Sequence, residues 1–401
     1  MTFRQMRESS VFLAKGQRMS DLFPPAEYHR RHRGIQARLQ AIGLDAILLT
    51  QAADIFYVTG FLTRFWESPA RPWFVLIPAT GTPMAVIPEI GAYLMGKSVI
   101  TDIRTWPAPR PEDDGISLLA EALCEVTPKS GKIGVAMGLE TQLRMPLGDF
   151  FVLQTRLAPR SFVDATDIMH RTREIKSALE IEKLRSACAI GNRAFARVDE
   201  IARGGTPLDA VFRAFQILLL EEGADWVSYV AGGAGEGGYG DVISPAAPTP
   251  LRNGDILMLD TGAVKDGYFC DFDRNFAIGT PSPDAARGHQ ILQDAIYAVM
   301  EVIEPNIRAS DLHAMLCREI AARGGTPCGG RLGHGLGVTL TEWPSLTPQD
   351  QTVLHAGMVL TLEPSVDLGK GRILVAEENI VLTENGAEFL TNPAPRDITI
   401  L

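Results

Sequence analysis

Three aspartates, Asp260, Asp271 and Asp273, are spaced as a cation site would space them. They lie in 253–279, NGDILMLDTGAVKDGYFCDFDRNFAIG. Two apolar or β-prone runs, 256–264 and 268–278, flank Lys265-Asp266-Gly267, the residue types a tight turn requires. An antiparallel hairpin with a two-residue loop, whether Lys265-Asp266 or Asp266-Gly267, places all three carboxylates on one face, opposite or diagonal to one another. Like charges opposed across strands destabilise the pair, and carboxylates leaving water must take up a proton or find a cation. A hard divalent ion is the simplest remedy. Asp266 reads as a turn residue only. Asp260 and Asp271 follow Leu257-Met258-Leu259 and Tyr268-Phe269-Cys270, apolar or aromatic settings that suit a solvated face poorly. For Asp273 the structural and functional readings weigh about equally.

Three further candidates lie downstream. His334 sits in Leu332-Gly333-His334-Gly335-Leu336-Gly337, where flanking glycines let backbone and imidazole approach a partner closely. The other six histidines, His29, His32, His170, His289, His313 and His355, have polar or helical surroundings that fit surface or core roles. Glu363 ends the apolar run 358–362, and Glu377 stands between the runs 373–376 and 380–382. A glutamate inside an apolar strand pattern needs a partner, because unpaired burial is costly.

The elements that must position these groups follow from the apolar pattern. With 401 residues, 46% of them hydrophobic, the chain can form two or three domains with substantial cores. Its formal charge of -10, without a long basic run, argues against nucleic acid or an anionic membrane as the main partner. Five scattered cysteines without CxxC spacing suggest reduced thiols. The first twenty residues lack an apolar core of signal-peptide length, and no run of about 18 apolar residues occurs, so a soluble cytoplasmic protein is expected.

A helix is expected over 25–41, then strands at 45–50, 55–59, 73–78 and 83–87, with helices at 115–126 and 141–153. Tyr57, Phe61, Phe65 and Trp66 could line a pocket, although packing is the stronger reading for each. The pattern changes within 158–163 and divides the chain into domains at 1–163 and 164–401. A charged helix over 177–203 carries Glu180–Lys183 and Glu182–Arg185 pairs on its solvent side. A second helix, 207–222, precedes the glycine-rich 231–240 and the hairpin. Helices at 283–303 and 310–323 repeat this plan: GGTPLDAVFRAFQILLLEEGA and NIRASDLHAMLCREIAARGG share a polar cap, a Leu-rich amphipathic run and a closing glycine. Two similar halves about a pseudo-twofold axis would both lend ligands to a site between them.

Taken together, Asp260, Asp271 eleven residues later, His334 in GHGLG, Glu363 in LEPS and Glu377 in AEEN resemble the metal site of the M24 family: methionine aminopeptidase, aminopeptidase P, prolidase and creatinase. The segment RTREIKSALEIEKLR at 171–185 is similar to the start of that catalytic domain, and IFYVTGF at 55–61 resembles the amino-terminal domain of the prolidase and creatinase branch. The resemblance implies an α/β (α+β) architecture: a pita-bread catalytic domain with a pseudo-twofold repeat, preceded by a smaller creatinase/prolidase-type α/β domain. It also implies a homodimer in which the amino-terminal domain covers the partner's site. Two divalent ions, Mn²⁺, Co²⁺ or Zn²⁺, would be bridged by Asp271 and Glu377, with Asp260 on one ion, His334 and Glu363 on the other, and Glu363 as general base. Such a pair lowers the pKa of a water between the ions and stabilises an oxyanion.

The chain also departs from that pattern. Members that cleave peptides carry a histidine where this chain has Thr341, another ahead of the GD before the first strand, where 231–255 has none, and in aminopeptidase P a third, here Gly330. Asp273 replaces a usual threonine. The expectation is a dinuclear metal hydrolase of a C–N amide bond, acting on an Xaa-Pro dipeptide or on a small amino-acid derivative. A lyase of the dimethylsulfoniopropionate type and a non-catalytic binding module are the competing readings. Tyr239, Arg331, Thr341 and Trp343, beside the ligand motifs, are the candidates for substrate contact.

Overall fold

The computed structural model describes residues 22–69 and 71–401. The chain divides into two compact units, one through Thr172 and the other from Arg173 to Leu401. The division falls beyond the 163/164 junction expected from sequence, because β6 and α6 below complete the first unit.

In the first unit a six-stranded mixed sheet has the order β4-β3-β2-β1-β5-β6. Its strands are β1 (Ala46–Leu49), β2 (Phe74–Pro78), β3 (Met84–Pro88), β4 (Asp102–Trp106), β5 (Lys132–Val135) and β6 (Ser161–Asp164). The helices are α1 (Pro25–Ala41), α2 (Ala52–Thr59), the single turn α3 (Ala92–Met95), α4 (Ile116–Val126), α5 (Leu147–Leu157) and α6 (Thr166–Arg173). The central strands β1 and β2 are buried at every residue, as covered strands must be. One core cluster gathers Leu48, Phe74, Leu76, Val86, Ile116, Leu119, Leu123, Leu153 and Leu157.

Residues 55–59, expected as a strand, belong to helix α2. Their β-branched and aromatic types favour a strand by propensity, but every residue from Asp54 to Thr59 is buried and Gly60, at φ 77°, closes the helix by donating to Phe56 O. The expected helix 141–153 lies at 147–157 instead. Tyr57 and Phe61 are core residues, and Trp66 packs against Phe61 and Trp73.

The second unit begins with α7 (Ala178–Phe195) and α8 (Leu208–Glu221), followed by β7 (Trp226–Glu236), β8 (Asp255–Lys265), β9 (Tyr268–Phe269) and β10 (Phe272–Ala277). Two more helices, α9 (Pro283–Val302) and α10 (Ala309–Ala322), then introduce β11 (Thr326–Cys328), β12 (His334–Gly335), β13 (Glu342–Ser345), β14 (Val359–Leu362), β15 (Ser365–Gly369), β16 (Arg372–Val375), β17 (Glu378–Thr383), β18 (Gly386–Phe389) and β19 (Thr399–Ile400). Each half therefore runs helix, helix, antiparallel strands. The sheets have the orders β19-β10-β8-β7, with β9 on β8, and β13-β12-β14-β17-β18; a third has β11-β15-β16.

Helix α7 is shorter than expected and gives way to a 3-10 turn at Val198–Glu200. Its Glu180 does not face solvent. It closes a capping box with Ser177 and accepts from the Tyr268 hydroxyl at 3.1 Å, while Lys183 reaches Asp266 at the hairpin tip, 2.6 Å away. Gly191 in the same helix meets Phe272, whose ring stands 2.6 Å from where a Cβ would be. These contacts seat the hairpin. Among the described residues no helix is long and apolar enough to cross a membrane.

Candidate metal centre

The hairpin loop is Asp266-Gly267: Lys265 pairs with Tyr268, and the two loop residues have φ of 53° and 81°, the positive values a type I′ turn demands. That register continues through Thr261↔Phe272 to Asp260↔Asp273. Asp260 and Asp273 therefore face each other directly, with Asp271 two residues along on the same face. Between β9 and β10, Cys270 still donates to the Ala263 carbonyl at 2.9 Å, while the backbone groups of Asp271 are met by a side chain. Asn379 in β17 accepts the Asp271 N–H at 3.0 Å and donates back to the Asp271 carbonyl. This buried amide ties the hairpin of one half to a strand of the other.

Glu363 and Glu377 come from β14 and β17. Leu362 pairs with Glu378, so the residues just beyond that end of the ladder, Glu363 and Glu377, stand across from each other. His334 reaches the same end because Gly335 pairs with Leu360, and its N–H donates to Thr361 Oγ1 at 3.1 Å. The close approach depends on Gly333, at φ 145°, where a Cβ would lie 2.2 Å from the Thr361 carbonyl oxygen. The His334 Nδ1 lies 2.8 Å from Gly335 O. A carbonyl only accepts, so Nδ1 carries a proton, which leaves Nε2, 3.3 Å from Asp271 Oδ2, as the ring atom free to bind a cation once its own proton is gone. This is the tautomer a metal-binding imidazole needs.

Ligand atoms of Asp271, His334 and Glu377 all lie within 4.8 Å of one another, and all three residues are buried; among the described residues this is the one group of three or more that meets this spacing. Asp260 joins through Tyr229, whose hydroxyl stands 2.5 Å from Asp271 Oδ1 and 3.0 and 3.1 Å from the Asp260 oxygens. A single phenolic proton can serve one carboxylate at a time. Glu363 is half-buried, with Arg331 Nε 3.3 Å from its Oε1.

Burial and like charge disfavour full ionisation of this arrangement without a cation. Burial, then the repulsion of neighbouring carboxylates, pushes Asp260 and Glu377 well above the ordinary carboxylate range. Burial does the same to Asp273, only partly offset by Arg274. Glu363 is raised by burial, against the pull of His334 and Arg331. For His334 burial opposes the imidazolium, yet Asp271 beside it leaves the pKa raised. Among the described residues two buried carboxylate oxygens, Glu377 Oε1 and Asp273 Oδ2, have no hydrogen-bond partner. A donor set of carboxylates and one imidazole suits divalent ions of the Mn²⁺, Co²⁺ and Zn²⁺ kind. The residues present therefore fit a centre of such ions.

Of the four residues expected to touch substrate, Arg331 hydrogen-bonds to a ligand candidate, Glu363. Tyr239 is a core residue: its hydroxyl donates to Asn275 Oδ1 at 3.1 Å and accepts the Val375 N–H at 2.7 Å. Trp343 is half-buried and donates to Thr352 Oγ1, and the half-buried Thr341 gives its carbonyl to the Thr339 hydroxyl. Sequence reasoning missed Tyr229, Asn379 and the role of Arg274, which donates to the carbonyls of both Asp273 and Glu377 and pairs with Glu378.

The chain matches metallopeptidase family M24 over residues 182–384 and the creatinase/prolidase N-terminal domain over 31–175. It is 28% identical to a probable dipeptidase PepE of Mycobacterium bovis over 380 residues, 94% of this chain and 97% of that one. It is 27% identical to an Xaa-Pro dipeptidase of Pyrococcus horikoshii over 352 residues, 87% and 93% of the two chains. The crystal structure of dipeptidase PepE from Mycobacterium ulcerans superposes with a TM-score of 0.81 at 28% identity, covering 94% of this chain and 99% of that one.

Proposed function

The chain belongs to metallopeptidase family M24 and is a metal-dependent hydrolase, and from that premise we propose that it cleaves a C–N amide bond in a small substrate with two divalent ions held by Asp260, Asp271, His334, Glu363 and Glu377. The observation that carries the proposal is the convergence of Asp271, His334 and Glu377, buried and within 4.8 Å of one another, with Glu377 Oε1 left without a hydrogen-bond partner among the described residues. Asp271 and Glu377 would bridge the ions, Asp260 would hold one, and His334 with Glu363 the other. When bound, such a pair polarises a carbonyl and makes a water nucleophilic at neutral pH.

Around that pair, this chain's residues divide the work. Tyr229 fixes the orientation of Asp260 and Asp271, the Gly335 carbonyl fixes the His334 tautomer, and Arg274 pins the backbone that carries Asp273 and Glu377. Glu363, half-buried where Asp271 and Glu377 are buried, takes a proton from the attacking water and passes it to the leaving nitrogen. Arg331 holds the Glu363 carboxylate from the outer side.

An Xaa-Pro dipeptide is the substrate supported by the dipeptidases to which the chain is similar. A small N-acylated or cyclic amino acid is the second reading, favoured by Thr341 at the place where the family's peptide-cleaving members carry histidine. A homodimer belongs to the same proposal, since the resemblance that implies it includes the creatinase/prolidase N-terminal domain matched over 31–175, and a cytoplasmic location rests on five scattered cysteines without CxxC spacing. The test is hydrolysis by Mn²⁺-loaded protein of Gly-Pro-like dipeptides beside a panel of N-acyl and cyclic amino acids. Turnover in either group, abolished by Asp271→Asn, supports the hydrolase; release of an alkene product from a sulfonium substrate without amide turnover would replace it with a lyase.

A further inference from the structure

The ligand set above uses five residues and leaves one buried carboxylate unexplained. Asp273 is 2% exposed and faces Asp260 across the β8–β10 ladder. Its Oδ1 accepts the Glu377 N–H at 3.2 Å, which fixes the carboxylate plane beside one bridging candidate and opposite another acidic ligand. Its Oδ2 is buried with no hydrogen-bond partner among the described residues. Arg274, the nearest cation in sequence, spends its donors on the carbonyls of Asp273, Glu377 and Asn392 and on the Glu378 carboxylate; none of these bonds reaches the Asp273 carboxylate.

A buried carboxylate oxygen without a donor is costly, and a carboxylate opposed to another across strands adds repulsion. Both costs vanish if a cation lies between them. The neutral hydroxyl of a threonine, the residue that the resemblance places here, would make no such demand.

We propose that Asp273 is a sixth protein ligand of the metal centre, completing through Oδ2 the coordination of the ion that Asp260 holds. The inference rests on the two-ion reading. Its consequence is a change of charge: four ligand carboxylates balance two divalent ions, and a fifth leaves the centre negative by one, so the ion on the Asp260 side is held more tightly than a threonine would allow.

The experiment is titration of the chelator-treated full chain with Mn²⁺, followed by calorimetry and by the electron paramagnetic resonance signal of free Mn²⁺. Wild type is compared with Asp273→Asn, which keeps the shape and the acceptor for Glu377 N–H, and with Asp273→Thr. The expected result is two ions in wild type and, in both variants, one site weakened by about tenfold or more while the other changes little. Metal-free thermal unfolding checks the fold, and the variants should be at least as stable as wild type because a buried charge has gone. Unchanged affinities at both sites in stable variants, or a Mn²⁺-soaked crystal in which Asp273 Oδ2 touches no ion, would overturn the inference. Failure of wild type to bind two ions would instead overturn the two-ion reading beneath it.

Discussion

Glu342 offers the sharpest test of how the site's surroundings are held. Its Oε1 lies 2.6 Å from Arg173 Nη2 and its Oε2 3.1 Å from Lys176 Nζ, and it also accepts the N–H groups of Val338 and Thr339. Burial pushes the carboxyl up, but the two cations overwhelm that effect and hold its pKa at about 2, against 4.5 for an ordinary glutamate. A depression of that size corresponds to about 3 kcal/mol of stability at neutral pH. The sign follows from the direction: a carboxyl depressed in the folded state contributes fully above its unfolded pKa, and the contribution is lost as pH falls from about 4.5 toward about 2. Glu342→Gln keeps the shape and leaves two cations facing a neutral amide, so a loss of about 3 to 5 kcal/mol is expected, in line with other broken buried pairs. Urea unfolding of both proteins at pH values from 7 down to 3 reads this directly. The gap should be largest at pH 7 and shrink to about half by pH 3. A variant as stable as wild type at pH 7, or a gap constant across that range, would refute the reasoning.

Tyr229→Phe removes the one hydroxyl between Asp260 and Asp271 and should cost about 10- to 100-fold in metal affinity with little change in fold, measured by Mn²⁺ titration. Unaltered affinity would make the phenol a packing residue. Gly333→Ala drives a Cβ to 2.2 Å from the Thr361 carbonyl oxygen at a φ of 145°, so it should destabilise the protein by several kcal/mol and displace His334. A variant that unfolds at the wild-type temperature would contradict that geometry. Saturating Mn²⁺ should raise the melting temperature of wild type far more than that of Asp271→Asn, because an ion that binds only the folded state stabilises it by mass action; equal shifts would place the ions elsewhere.

How much of this was legible in the sequence depended on whether a side chain's role followed from local pattern. The hairpin was readable because strand alternation and an Asp-Gly turn fix register, and register alone aligns Asp260, Asp271 and Asp273. His334 was marked by glycines that its backbone contacts do require, and Glu363 and Glu377 by being acidic within apolar strands. Tyr229 was not readable: an aromatic in a strand is ordinarily packing, and its aim at the carboxylates comes with a register shift between Val227 and Val230 that no local signal announces. Asn379 is a buried amide whose partners, Asp271 and Cys188, are distant in sequence. Tyr239, chosen for its place beside the ligand motifs, is buried, with its hydroxyl bonded to Asn275 and to the Val375 N–H. Residues 55–59 have strand-like composition but lie in a buried helix, a case where packing overrides propensity.

The central claim is that acidic groups from the β8–β10 hairpin and from the ends of β14 and β17 hold two ions together with His334. Anomalous diffraction at the manganese edge from crystals grown with excess Mn²⁺ tests it most directly. Two peaks about 3.5 to 4 Å apart are expected, touching Asp271 and Glu377 in common, with Asp260 at one and His334 and Glu363 at the other. A single peak, no peak, or peaks bound by other residues would contradict it.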